Sequence, residues 1–232
     1  MKKLIKRLLF GSVTGPRKIR AGLLRGLMFR VDPHFKSQRL MGTDESEIAN
    51  VVREFSAQVK TAVDIGANDG WYTLYFAAQP GIQKVFACEP DAKCIGELKD
   101  NLAMNTGATA KVSIISRFVG TKADPDWISL DEILRGTPEP HLLKIDVDGG
   151  ELGVLQSASE LLLQHNPLVI VETHSQELER DCIAFLSERN YECTIIPNGW
   201  YRCIIPEERP IAHNRWFSAK RKTPVAASSP AR

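Results

Sequence analysis

The sequence lacks the features that mark membrane-spanning and disulfide-stabilised proteins. No apolar run approaches the roughly 20 residues that a helix needs to cross a bilayer. The five cysteines include no C-x-x-C pair, which argues against a zinc site, and their odd number argues against a disulfide framework. Lys6 and Arg7 interrupt the apolar stretch near the N-terminus, so we expect no signal peptide. These absences predict a reduced, cytoplasmic chain.

Acidic residues are missing from the first 31 positions, where nine Lys and Arg residues lie. The remaining 21 basic and 28 acidic residues give the rest of the chain a formal charge of about −7. Such a basic arm suits an anionic membrane, a phosphate-bearing substrate or nucleic acid, and the alternative is a solvated, partly frayed terminus. We predict a basic arm over residues 1–41, one domain over 42–217 and a disordered tail over 218–232.

Short apolar strands alternate with longer helices from residue 61 onward. Strands without polar alternation, separated by helices, predict a doubly wound α/β fold with a mostly parallel, seven-stranded sheet. Asn198-Gly199 predicts a closing antiparallel hairpin between Tyr191–Pro197 and 200–205. The other predicted strands are Ala62–Ile65, Lys84–Cys88, Val112–Ile115, Leu142–Val147 and Leu168–Glu172. The predicted helices are one within 1–10, one from Thr43, and Trp71–Ala78, Ala92–Met104, Leu130–Arg135, Glu151–Leu163 and Gln176–Asn190.

A glycine-rich loop follows the strand predicted at Ala62–Ile65 and reads V-D-I-G-A-N-D-G over 63–70. It lacks the central glycine of the dinucleotide fingerprint G-x-G-x-x-G. An acid two residues before the first glycine opposes a pyrophosphate but suits a cation, and S-adenosylmethionine carries an ammonium and a sulfonium group. The predicted contacts of this loop with the ligand are Asp64, Gly66, Asn68 and Gly70.

Acidic residues also end three later strands. Glu89 follows the next strand along the chain, 25 positions after Asp64, where a carboxylate can accept hydrogen bonds from both ribose hydroxyls. Asp146 and Asp148 lie at the end of the strand predicted at Leu142–Val147, and the next strand ends V-E-T-H at 171–174. Because ligands of open α/β sheets bind outside the carboxyl ends of the strands, we expect these groups to share one site.

Six stretches in order resemble the FkbM-type methyltransferases, which have the class I S-adenosylmethionine-dependent, Rossmann-like fold. The resemblance covers about residues 42 to 196, and it implies S-adenosylmethionine as cofactor and O-methylation of a sugar, a glycan or a secondary metabolite. Two departures stand out: Asp148 replaces the glutamate of the family's K-I-D-V-E-G block, and the region 116–128 is short, with Ser116 and Arg117 as candidate adenine contacts. The matching stretches are G-T-D-E-S-E at 42–47, V-D-I-G-A-N-D-G at 63–70, F-A-C-E-P-D at 86–91, I-S-L-D-E-I-L at 128–134, L-K-I-D-V-D-G-G-E at 143–151 and V-E-T-H at 171–174.

Methyl transfer from a sulfonium is an in-line displacement, so it needs positioning and a group that takes the hydroxyl proton. The catalytic candidates are Asp146, Glu172 and His174. In one version His174 is a general base; in the other these three residues hold a divalent metal that acidifies the hydroxyl. We interpret Lys144 as a paired charge on a buried strand.

Three rival functions remain. A nucleic-acid ribose methyltransferase would use the basic arm, whereas base methylation is disfavoured because no Asn/Asp-Pro-Pro-aromatic run follows the fourth strand. A non-catalytic S-adenosylmethionine-fold binding protein would not need costly charges at a strand end. A nicotinamide dehydrogenase is disfavoured by the missing glycine. The favoured acceptor is a small molecule or a glycan.

Overall fold

The computed structural model of the chain describes residues 13–33, 37–199 and 213–222. The strands in these ranges are β1 (Gly15–Lys18), β2 (Met28–Val31), β3 (Thr61–Ile65), β4 (Lys84–Cys88), β5 (Val112–Ile115), β6 (Phe118–Val119), β7 (Trp127–Ile128), β8 (His141–Ile145), β9 (Leu168–Thr173), β10 (Tyr191–Ile196) and β11 (Arg215–Arg221). The helices are α1 (Ser37–Met41), α2 (Ala49–Ser56), α3 (Trp71–Ala78), α4 (Ala92–Ala103), α5 (Leu130–Leu134), α6 (Glu151–Gln156), α7 (Ser159–Gln164) and α8 (Gln176–Ser187), with a short 3-10 turn at Thr109–Lys111.

Seven strands form the central sheet in the order β10-β11-β9-β8-β3-β4-β5. The pairs β9-β8, β8-β3, β3-β4 and β4-β5 are parallel, and β11 is antiparallel to both of its neighbours. The doubly wound, mostly parallel fold is confirmed. The strand order reverses at β3, which lies between β4 and β8, and such a switch point opens a ligand crevice at the carboxyl ends of the strands.

The apolar strands predicted from the sequence form the middle of the molecule. All five residues of β3 and of β8 are buried, as expected for strands covered on both faces. Seven of the eight residues of α3 are buried as well, because this helix is apolar on all sides. One core cluster covers each face of the sheet's centre, with Leu142 in one and Leu143 in the other.

The hairpin β1-β2 packs against this domain. Leu24 and Phe29 belong to the same core cluster as Trp71, and the rings of Phe29 and Trp71 meet edge to face at 5.2 Å. Asn101 of α4 and Asn105, just after that helix, bind the backbone of β2. The Asn101 amide oxygen accepts from the Arg30 N–H. The Asn105 side chain accepts from the Met28 N–H and donates to the Met28 carbonyl oxygen. The second half of the predicted basic arm therefore contributes to the core.

The structure corrects three predicted helices and strands. The helix predicted at Glu151–Leu163 is two helices, α6 and α7, and Ser157 lies at the break, where its hydroxyl donates to Val154 and accepts from Leu130. The helix predicted from Thr43 begins at Ala49, after a series of turns. The predicted strand Leu142–Val147 ends at Ile145, so that Asp146 and the residues after it lie in the loop.

The C-terminal antiparallel pair is confirmed, with a different partner from the predicted one. Tyr191–Ile196 pairs with Arg215–Arg221, with Tyr191 opposite Arg221. Residues 218–221, predicted as the start of a disordered tail, continue this strand, and Ala219 is buried. The predicted partner at 200–205 and the predicted helix within 1–10 lie outside the described residues.

Two predictions from the composition concern the cysteines and membrane-spanning helices. Cys88, Cys94, Cys182 and Cys193 are free thiols. Among the described residues, no helix has both the length and the apolar character to cross a bilayer.

Candidate active site

The loop after β3 turns sharply against the end of β8. Gly66 has a φ of +77°, and a Cβ atom at this position would overlap the carbonyl oxygen of Asp146. Glycine is required here for both reasons. Asn68 follows with a φ of +48°, a left-handed conformation that asparagine tolerates better than most residues. The loop therefore brings its backbone close to the neighbouring strand end.

Glu89 is fixed at the end of β4 by two backbone groups. Its Oε2 accepts from the Asn68 N–H at 2.8 Å, and its Oε1 accepts from the Asp91 N–H at 2.9 Å. A carboxylate oxygen has a second lone pair, so both oxygens can still accept hydrogen bonds from a ligand. This geometry fits the predicted role of Glu89 as the ribose-binding residue.

A cavity of about 500 Å³ lies between these loops, within the usual size range of small-molecule sites. Its lining includes Gly66, Asn68 and Glu89 from the loops after β3 and β4, and Asp146 and Asp148 from the loop after β8. Gly70 is not among the lining residues: its Cα faces Leu98, and its φ of +90° permits the turn into α3. The cavity thus brings together two of the four predicted loop contacts, Gly66 and Asn68, and the acids Glu89, Asp146 and Asp148. Glu172 and His174 are not among its lining residues.

Asp64 departs from the prediction of a direct ligand contact. Its carboxylate is fully buried and lies behind the loop. Oδ2 accepts from the Thr73 hydroxyl at 2.7 Å, and Oδ1 lies 3.3 Å from Lys144 Nζ. Lys144 is 3.3 Å from Asp146 Oδ2 as well, and its side chain is almost fully buried. Lys144 is therefore the paired charge that we predicted, joining two carboxylates.

His174 has two different nitrogen environments. Nδ1 lies 2.6 Å from Oε1 of Glu151, a residue without solvent exposure. Since an ionised carboxylate accepts but does not donate, this pairing places a proton on Nδ1. Nε2 then faces oxygens of Asp148, Asp146 and Glu172 at 3.6, 3.7 and 3.9 Å, distances too long for direct hydrogen bonds. The hydrogen bond to Glu151 raises the pKa of His174 above its ordinary value.

Asp146 and Glu172 differ in protonation. Burial opposes ionisation of Asp146, yet its pKa lies below the ordinary value because the Lys144 ammonium and a hydrogen bond from Glu172 outweigh burial. Burial and the charges of Asp146 and Glu45 raise the pKa of Glu172 to about 11. Protonated Glu172 can donate a hydrogen bond to Asp146 but cannot take a proton, which favours His174 over Glu172 as the base.

The three predicted catalytic residues also form a group that could hold a metal ion. Asp146, Glu172 and His174 each offer one ligand atom, and these atoms lie within 4.8 Å of one another. Imidazole and carboxylate together suit Mn²⁺ or Zn²⁺. In addition, the carboxylate of Glu151 orients the imidazole through its far nitrogen, as is usual for metal-binding histidines.

Several residues of the site were missed in the sequence. Glu151 ends the L-K-I-D-V-D-G-G-E motif, and no role was predicted for it. Its place after Gly149-Gly150, at the start of a helix, could have indicated a site residue. Phe118 and Trp127 line the cavity and stack at 5.1 Å, and no motif marks them. Of the two candidate adenine contacts, Arg117 lines the cavity and Ser116 is not among its lining residues.

One family model and many solved structures resemble this chain. Residues 108–193 match the family model described as the methyltransferase FkbM domain. The resemblance to the FkbM methyltransferases is confirmed. The fold and the family match together support a S-adenosylmethionine-dependent methyltransferase. No curated protein sequence matches the chain.

Solved structures share the fold at low sequence identity. A methyltransferase FkbM from Methylobacillus flagellatus KT has a TM-score of 0.56 and 19% identity, over 69% of this chain and 43% of that protein, so this chain spans less than half of its length. The precorrin-6y C5,15-methyltransferase from Geobacter metallireducens GS-15 has a TM-score of 0.52 and 14% identity, over 76% and 88% of the two chains. The aTrm5 protein in complex with tRNALeu has a TM-score of 0.50 and 12% identity, over 85% and 51%.

Proposed function

We propose that this chain transfers a methyl group from S-adenosylmethionine to a hydroxyl of a sugar, a glycan or a secondary metabolite, with His174 as general base. The observation that carries the proposal is the pairing of His174 Nδ1 with the buried Glu151. It leaves Nε2 3.7 Å from Oδ1 of Asp146, which lines the cavity together with Glu89.

The cavity residues fit the methyl donor. Gly66 allows the backbone to approach, and Glu89 keeps two free lone pairs for the ribose. When bound, S-adenosylmethionine supplies an electrophilic methyl group on a sulfonium. Asp146 lines the cavity as an anion, so it would favour the positive charge of the donor and would orient the acceptor. His174 Nε2 takes the hydroxyl proton as the oxygen–carbon bond forms and the carbon–sulfur bond breaks, and it then releases the proton to water.

A melting experiment tests the donor. At 100 times its dissociation constant a ligand stabilises a protein by about 2.7 kcal/mol, which raises the melting temperature of a domain of this size by roughly 5–10 °C. We expect this rise with S-adenosylmethionine and S-adenosylhomocysteine and no rise with NAD. Asp146→Asn should retain the rise but lose methyl transfer. A chain that binds neither adenosyl compound would contradict the proposal.

A metal at Asp146, Glu172 and His174 is the second candidate, and it is favoured by the spacing of their ligand atoms. The two mechanisms exclude one another at His174 Nε2, which either binds a cation or accepts a proton. Activity that survives extensive treatment with EDTA indicates the base. Activity that disappears with EDTA and returns with Mn²⁺ indicates the metal.

Two further functions stay predictions. A ribose hydroxyl of a nucleic acid would give methyl transfer to RNA that weakens steeply with added salt, and a non-catalytic protein would bind the donor without transfer to any acceptor. Contact of the basic arm with an anionic membrane is also a prediction. On the described hairpin, Lys18, Arg20, Arg25 and Arg30 are exposed, and binding to phosphatidylserine vesicles would test it.

A further inference from the structure

The turns between α1 and α2 place Glu45 beside the proposed reaction site. Glu45 belongs to the motif G-T-D-E-S-E at 42–47, to which the proposed function assigns no role. The Tyr72 hydroxyl donates a hydrogen bond to Glu45 Oε2. Lys144 Nζ, which pairs with Asp146, lies 4.9 Å from the centre of the same Tyr72 ring, so one side chain separates Glu45 from that ion pair. Burial, with the charges of Asp44 and Asp146, raises the pKa of Glu45 to about 8.

The backbone of Glu45 is strained. Its φ is +46°, in the left-handed region that a glutamate rarely adopts. Strain of this kind persists where the surroundings impose it, and it concentrates at functional sites. Glu45, the residue with this unusual φ, is also the one whose carboxyl group lies beside the proposed reaction site. This coincidence points to a function for its side chain.

An interlocked pair of glycines fixes the position of this loop. Gly42 has a φ of +65°, and a Cβ atom there would overlap the backbone of Ala21 and Gly22. Gly22, with a φ of +77°, has the same close approach from the other side. The loop that carries Glu45 therefore lies directly against the β1-β2 hairpin.

Arg39 connects the same loop to the donor side of the cavity. Its Nε donates to Asp44 at 2.9 Å and its Nη1 donates to Asp69 at 2.6 Å. The guanidinium lies 5.0 Å from the centre of the Trp71 ring. Asp44 precedes Glu45, and Asp69 belongs to the loop after β3, so one side chain sets the spacing between the two loops.

We propose that Glu45 is an acceptor-binding residue, whose carboxyl group hydrogen-bonds a neutral hydroxyl near the one that is methylated. This inference rests on the proposed function and adds a constraint to it: the acceptor has no phosphate or other anionic group at that point. Glu45, Asp146 and Glu172 crowd carboxyl groups there. The nearby cations Lys144 and Arg39 are already paired with carboxylates. A phosphate would meet the negative charge of Asp146 without a free cation among these residues, whereas a hydroxyl can donate to that carboxylate and accept from a protonated carboxyl group such as that of Glu172.

The test uses the full chain, radiolabelled S-adenosylmethionine and matched acceptors: glucose, galactose and rhamnose, each beside its 1-phosphate. We expect transfer to at least one neutral sugar and at least tenfold less to its phosphate. For that sugar, Glu45→Gln should raise KM at least tenfold, with kcat within threefold and unchanged affinity for S-adenosylhomocysteine. Tyr72→Phe, which keeps the ring and removes the hydroxyl that holds Glu45, should raise KM in the same direction by less.

Glu54→Gln is the matched control, because Glu54 is an exposed acid on α2, and its KM should equal that of the wild type. An unchanged KM in Glu45→Gln, a preference for the phosphates, or no transfer to any of these sugars by a chain that binds S-adenosylhomocysteine would each overturn the inference. A wild-type chain that fails to bind S-adenosylhomocysteine would instead overturn the proposed function. The two failures are thus distinguishable.

Discussion

The proposed site has a donor end, formed by Glu89 and the loop after β3, and an acceptor end, formed around Asp146 and His174, and the two are built in different ways. At the donor end, Glu89 and the loop after β3 are held by backbone groups close in sequence, and glycine permits the turn. At the acceptor end, side-chain charges come from separate segments: Glu45 from a loop, Asp146 from the end of β8, Glu151 from α6 and His174 from the end of β9. Backbone geometry recurs in local sequence patterns, whereas a network of side chains depends on how distant segments pack. A motif therefore describes the first end more fully than the second.

The largest effect is expected from removing the imidazole at the acceptor end, which tests whether the two ends act separately. We expect His174→Ala to lower kcat by about 10²–10⁴-fold, the usual contribution of a general base, and to leave the dissociation constant of S-adenosylhomocysteine unchanged. Initial rates at saturating donor and calorimetric titration measure the two quantities. A variant that loses donor binding and turnover together would show that the two ends are not separate.

Removing the carboxylate of Glu89 tests the donor end. Glu89→Ala loses the hydrogen bonds to the ribose and also leaves the Asn68 N–H without its partner, so we expect donor affinity to fall about 10–100-fold, at about 1.5–3 kcal/mol for hydrogen bonds to a charged group. Calorimetric titration with S-adenosylhomocysteine measures the change. Asp100→Ala, at an exposed acid on the following helix, is the control and should bind as the wild type does. Equal affinity in both variants would contradict the ribose assignment.

A change of pH profile tests how Glu151 acts on His174. The hydrogen bond to Glu151 raises the pKa of His174, so wild-type kcat should rise with pH through a midpoint above about 6.5 as the imidazole loses its proton. Glu151→Gln removes the negative charge and should move that midpoint to lower pH, while kcat on the plateau falls about tenfold because a neutral amide orients the ring less firmly. An unmoved midpoint would show that Glu151 does not set the protonation of His174.

The smallest expected effect concerns the strand beside the acceptor end. Glu179 on α8 binds Arg215 of β11 through both carboxylate oxygens, and this hydrogen bond lowers the pKa of Glu179. The stabilisation is present above the ordinary pKa of about 4.3 and is lost as pH falls through the lower folded value. Since Arg215 is partly exposed, Glu179→Gln should cost about 0.5–2 kcal/mol at pH 7 and progressively less from pH 5 to pH 3. Urea unfolding at each pH measures it, and a constant difference would contradict the assignment.

The sequence predicted the parallel half of the fold closely. The bounds of β4, β5 and α3 agree with the structure, because short apolar runs between turn residues mark buried strands and helices locally. The sequence did not predict the helix break at Ser157, where the serine hydroxyl hydrogen-bonds backbone groups of Val154 and Leu130. It also did not predict which strand pairs with Tyr191–Ile196. Pairing of strands some 20 residues apart depends on tertiary packing, and the local Asn198-Gly199 signal favoured a closer partner.

The candidate site was predictable in its membership more than in its roles. Glu89, Asp146, Glu172 and His174 end strands that a doubly wound sheet brings to one edge, so their convergence followed from topology. Burial decides their protonation, and burial cannot be read locally: Asp64 faces Thr73 rather than the cavity.

The hydrogen bonds of Asn101 limit how far the chain can be shortened at its N-terminus. The Asn101 side chain accepts from the backbone of Arg30 and donates to the carbonyl of Asp69, so one amide serves both the N-terminal hairpin and the loop that begins the donor site. A shortened chain that starts at the predicted domain boundary, residue 42, would leave this amide half-satisfied and uncover the Trp71 ring. The hairpin therefore supports the loop of the donor site through Asn101, and a shortened domain that keeps this support has to begin before residue 15.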